Sequence, residues 1–123
     1  MKGILITTDG KVSVEEYDDP LYRTVGEAVG GYIEVVHPRG LRRPYLMIVN
    51  EDGLNLGLPV NTIGSLLYGT QEHGHPIVGN AVVMKEGKRL GEPDIVGITL
   101  DDIDVLADLL TLRARARMEG LLP

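Results

Sequence analysis

The hydrophobic and polar positions along the chain change period several times, and each change predicts an element. Lys2 to Thr8 is apolar and β-branched, Asp9-Gly10 is a turn dipeptide, and Lys11-Val12-Ser13-Val14-Glu15 alternates with period two. This is the pattern of a hairpin with one wet face. Asp18-Asp19-Pro20 then predicts a helix start, with Asp19 as N-cap and Pro20 in the first helical position, where its missing N–H costs nothing. Leu21, Val25 and Ala28-Val29 recur at helical spacing until Gly30-Gly31 stops the run.

Tyr32 to His37 is a second β-branched stretch, and a loop bounded by Pro38 and Pro44 follows it. Tyr45 to Val49 has almost no polar position, which predicts a strand buried on both faces and central in a sheet. Asn50-Glu51-Asp52-Gly53 is a turn, Leu54 to Leu58 predicts a short strand ended by Pro59, and Asn61 caps a helix from Thr62 to Tyr68 that ends at Gly69. After a polar loop over 70–76, Ile77 to Lys85 reads as a strand, Glu86-Gly87-Lys88 as a turn, and Asp94 to Ile98 as a further short strand. The last helix is expected over 98–119. Thr99 is its N-cap, Asp101 and Asp102 lie in its first turn, and Arg113, Arg115 and Arg117 lie near its end, an order that complements the helix dipole. The expected fold is one α+β domain over residues 1–123. A mixed, mostly antiparallel sheet carries the N-terminal hairpin, two shorter helices and the C-terminal helix packed on it.

Composition narrows the function more than the fold. The 123 residues include neither Trp nor Phe, so the core must come from aliphatic side chains, and five Tyr are the whole aromatic supply. Twelve Lys+Arg against 18 Asp+Glu give a formal charge of −6, which opposes phosphate-driven nucleic-acid binding and attraction to anionic membranes. No apolar run approaches a membrane span, and the three-residue apolar core Ile4 to Ile6 is too short for a signal peptide. The expected location is the cytoplasm. With no Cys, disulfides, zinc thiolates, iron–sulfur clusters and cysteine nucleophiles are excluded together.

Few constellations carry chemistry. His73 and His75, beside Glu72, form the one candidate metal pair; imidazole and carboxylate are the ligands left without thiolates, and a metal-assisted hydrolase is the alternative they offer. The competing reading is two histidines in a polar loop. Arg39, Arg42 and Arg43 share a short constrained loop whose guanidinium groups could hold an anion or nucleic acid, or pair with surface carboxylates. No phosphate-binding glycine motif or nucleophile elbow occurs, and the paired acids sit at turns and helix starts. No cofactor is expected, and the balance leans away from an enzyme.

Four segments in order carry a resemblance: Val29-Gly30-Gly31-Tyr32-Ile33-Glu34-Val35-Val36, Asn50-Glu51-Asp52-Gly53, Gly57-Leu58-Pro59-Val60-Asn61, and Ile77-Val78-Gly79-Asn80-Ala81-Val82-Val83. Together they resemble the family called domain of unknown function 3846, short proteins of bacteria, phages and conjugative elements, across about residues 1–110. Thr62 stands where Arg often follows the asparagine, and His75-Pro76 where Asp often precedes the last segment. The resemblance implies no reaction or cofactor. It implies an accessory protein that binds a host protein or a small, phosphorylated ligand. The signature residues have two readings: turn chemistry, or a ligand pocket lined by Tyr32, Asn50, Glu51 and Asn61. The apolar final helix, with Leu121 and Leu122 beyond it, could serve a homodimer.

Overall fold

Two apolar clusters, one on each face of a six-stranded sheet, organise the computed structural model, which describes residues 1–69 and 75–107. In chain order the elements are β1 (Lys2–Ile6), β2 (Val12–Glu16), α1 (Leu21–Val29), β3 (Ile33–Val36), β4 (Tyr45–Asn50), α2 (Thr62–Tyr68), β5 (Ala81–Arg89), β6 (Glu92–Val96) and α3 (Leu100–Val105). The strands lie in the order β2-β1-β5-β4-β3, with β6 also paired to β5, and every pairing is antiparallel. The α+β class therefore stands as read from sequence. Among the described residues no helix is long and apolar enough to cross a membrane.

Strand β4 is buried along its whole length because it packs helices on both faces. Met47 and Val49 point with Ile4, Ile6 and Val83 toward Ile63 and Leu67 of α2 and Leu106 beyond α3. Leu46 and Ile48 point the other way, with Val82 and Met84, onto Leu21, Val25 and Val29 of α1. Period-two alternation on the strands thus meets the 3.6-residue stripe of α1 in one aliphatic layer.

Several local expectations change. The first hairpin closes through a three-residue loop: Thr7 N–H bonds Lys11 C=O (2.9 Å), with Gly10 at φ 86°. Helix α1 has Pro20, not Asp19, at its N-cap, because the Asp19 carboxylate is taken by a two-pronged contact from Arg89 (3.0 and 2.7 Å). Leu54 to Leu58 forms no strand; the Asp52 C=O···H–N Leu56 and Gly53 C=O···H–N Leu58 bonds curl it into turns. The second hairpin turns at Leu90-Gly91 (φ 52° and 82°), and β5 runs straight through Glu86-Gly87-Lys88. Gly87 is there for packing: a Cβ on it would stand 2.6 Å from Val96 Cγ2.

The Thr99 cap is present as a full capping box with Asp102, but α3 is not the uninterrupted 98–119 helix expected. It caps at Leu106, where Ala107 N–H reaches Asp104 C=O (3.2 Å) and tightens the last turn. The remainder of that span, with Arg113, Arg115 and Arg117, lies outside the described residues, as do Leu121 and Leu122 beyond it and the homodimer surface built on them.

Candidate functional site

The turns at the end of α1 and the end of β4 meet at one corner of the molecule, and Asn50 fastens them. Helix α1 closes on Gly30 at φ 86°, a left-handed conformation that favours glycine, and both Gly30 and Gly31 N–H groups bond Gly26 C=O (2.8 and 2.9 Å). Asn50 is buried. Its Nδ2 donates to Val29 C=O (3.1 Å) and its Oδ1 accepts from Asp52 N–H (2.8 Å). A Cβ on Gly31 would lie 3.0 Å from that Nδ2, so the second glycine of the pair makes room for the asparagine. Glu51 N–H then bonds Tyr32 C=O (2.9 Å), setting these two residues side by side.

Two clefts flank this corner. One, about 540 Å³, runs along α1 and is lined by Tyr22, Arg23, Glu27, Tyr32, Ile33 and Glu51. The other, about 330 Å³, opens on the opposite face of β3 and is lined by residues that include Glu34, Val36, Glu51, Asp52, Leu54 and His75. Tyr22 and Tyr32 are 72% and 79% exposed, while Tyr17 and Tyr45 are buried; two of five aromatics therefore face solvent on one groove. Among the described residues none of Glu27, Glu34, Glu51 and Asp52 is in an ion pair. The corner joins unpaired carboxylates to exposed aromatic area.

The residues singled out from sequence are divided by the fold. Tyr32 and Glu51 share a cleft, and Asn50 lines the neighbouring one while its amide serves the backbone. Asn61 lines neither; fully buried, it donates to Ile6 C=O and Gly79 C=O (both 2.9 Å) and accepts from Gly64 N–H (2.9 Å). Arg39, Arg42 and Arg43 line neither cleft; Arg43 lies 3.8 Å from Glu86, which also faces His37 at 3.7 Å. His75 lines the smaller cleft, and His73 falls outside the described residues. Among the described residues no group of three or more His, Asp and Glu could hold a metal. Tyr22, Glu27, Glu34 and Asp52 line the clefts without being among the site candidates read from sequence, although Glu34 and Asp52 lie in the segments that carry the resemblance. Tyr22 has a local signal, an aromatic beside the Leu21/Val25/Val29 stripe in a chain poor in aromatics.

A second polar cluster lies at the other end of the sheet. Asp102 accepts from Tyr45 Oη (2.8 Å), Lys85 Nζ (2.6 Å) and Thr99 N–H (2.7 Å). Burial pushes its pKa up, but the Lys85 ammonium and the hydrogen bonds from Thr99 and Tyr45 outweigh that and hold it well below the usual carboxylate range. Burial, then Asp102, raises the Tyr45 phenol. All of these groups are satisfied by one another, and the cluster anchors α3 to β4 and β5.

The family model for the domain of unknown function DUF3846 matches residues 1–111. The chain matches no curated protein and no solved structure. The glycine, asparagine and aromatic positions at the α1–β3 and β4–α2 turns fall within the matched residues, and the chain belongs to the DUF3846 family.

Proposed function

We propose that the chain is a non-enzymatic protein-binding module of the accessory kind met in phages and mobile elements, acting in the cytoplasm through the Tyr32–Glu51 corner on a basic segment of a host protein. The observation that carries this reading is the exposed pair Tyr22 and Tyr32 on a groove rimmed by Glu27 and Glu51, with Glu34 and Asp52 adjacent. Tyrosines supply large contact area at low entropic cost and attract cations over their ring faces, and carboxylates select basic partners. The same carboxylates oppose a phosphorylated ligand here.

Selection of a displayed random-peptide library on the intact, immobilised protein tests this. Enriched peptides should be rich in Lys and Arg, bind more weakly as salt rises, and lose roughly thirtyfold in affinity to Tyr32→Ala, the loss typical of an aromatic anchor. No enrichment, enrichment of acidic peptides, binding indifferent to Tyr32→Ala, or reproducible substrate turnover by the pure protein each overturns it.

A further inference from the structure

We infer that the partner segment binds as an added β-strand on the free edge of β3, with its basic side chains on the side of Glu34; this rests on the reading of the corner as a protein-binding site. Strand β3 ends the sheet, and among the described residues nothing pairs with its outer edge. The phase of its hydrogen bonds follows from one contact. Glu51 N–H bonds Tyr32 C=O, so the 32–51 pair is hydrogen-bonded, and alternation makes Glu34–Val49 and Val36–Met47 hydrogen-bonded as well. The N–H and C=O groups of Ile33 and Val35 therefore face away from β4. They are a ready template for main-chain pairing.

Of the devices that usually blunt an edge, β3 has its shortness and one charge, Glu34, which the basic partner segment would neutralise; its four residues, Ile33-Glu34-Val35-Val36, contain no Pro or Lys. Clefts border the strand on both faces. Glu34 and Val36 line the 330 Å³ cleft with Glu51 and Asp52, whereas Ile33 lines the groove of Tyr22 and Tyr32. A strand laid along β3 sends alternate side chains to the two faces. One set meets the carboxylates and the other meets Ile33 and Val35, so the recognised segment alternates basic with apolar residues. The opposite edge, β2, borders neither cleft.

The peptides selected above provide the probe. Val35→Pro removes an outward N–H that makes no bond to β4, and should weaken their binding about tenfold or more, while Val35→Thr, which keeps the N–H, should not. Backbone N-methylation of the peptide is the second arm and leaves the protein untouched: methyls at every other residue should abolish binding in one register and be tolerated in the other. Peptides that depend on Tyr32 but ignore both Val35→Pro and N-methylation overturn strand addition and leave the protein-binding reading standing. Failure to select any peptide overturns both. A dimer in light scattering that Val35→Pro dissolves and the peptide does not displace assigns the edge to a second copy and overturns the proposal.

Discussion

Asn61 has no solvent exposure, and its side chain closes three backbone gaps at once: Ile6 C=O at the end of β1, Gly79 C=O before β5, and Gly64 N–H in the first turn of α2. Asn61→Ala leaves two acceptors and one donor buried without this partner. At about 1–3 kcal/mol for each orphaned group, moderated by relaxation, the loss should be roughly 3–5 kcal/mol, including the N-cap. Against a typical net stability of about 5–15 kcal/mol, that is a large share. Asn61→Asp is isosteric but sets a carboxylate oxygen against the two carbonyl oxygens, so at neutral pH it should cost at least as much. Its folded pKa will be raised above the unfolded value, because only the protonated acid can donate. The added penalty is therefore smallest below about pH 4 and grows as pH rises through the folded pKa. Urea unfolding of both variants, read as differences from the parent at each pH, measures this. Asn61→Asp within about 1 kcal/mol of the parent at pH 7, or Asn61→Ala abolishing peptide binding at unchanged stability, would refute a structural role.

Three further changes probe other parts of the fold. Leu90 holds φ 52° and is fully exposed at the β5–β6 turn, so Leu90→Asn should stabilise by about 1 kcal/mol and raise Tm by about 4 °C in calorimetry; no gain means that the turn relaxes at no cost. The Tyr17 hydroxyl is buried with no hydrogen-bond partner among the described residues, and burial, then Glu15, pushes its pKa up to about 12. Tyr17→Phe should therefore be neutral or stabilising by up to about 1 kcal/mol, and remove the highest step from the alkaline absorbance titration; a clear destabilisation would reveal a partner. Asp102 has a depressed folded pKa, so its contribution is present above about pH 4 and lost as pH falls. Asp102→Asn should cost roughly 1–3 kcal/mol at pH 7 and flatten the acid limb of stability against pH; an unchanged acid limb places the acid sensitivity elsewhere.

What could be read before folding depends on whether the signal is local. Helix α2 was legible at both ends because Asn61 and Gly69 act within one turn of themselves, and β4 because a strand covered on two faces needs apolar residues at every position. The second hairpin was not, since Glu86-Gly87-Lys88 has turn composition while the need for glycine comes from Val96 across the strand. Leu54 and Leu56 alternate as a strand would, yet are 62% and 60% exposed in a curled loop, so apolar spacing there reports no burial. The same limit governs the site. Asn50 and Asn61 both look like turn residues in sequence, and only the long-range partners, Val29 for one and Ile6 for the other, separate a residue at a cleft from one in the interior. The role proposed for Glu34 depends on β3 being an edge, and strand order is set by pairings between distant segments, so no local signal separates it from the other acids.

The two readings of the family signature, turn chemistry and binding, are not alternatives at Asn50. Its Nδ2 bond to Val29 fixes where α1 ends, its Oδ1 bond to Asp52 fixes the turn after β4, and the Glu51–Tyr32 bond between those turns aligns the exposed tyrosine with the carboxylates. A residue with no direct contact to a partner therefore sets the geometry of those that would make it. Asn50 substitutions should lower stability and peptide affinity together, whereas Tyr32, exposed and held through its main chain, can lose its side chain without cost to the fold. Tyr32→Ala thus reports on recognition alone.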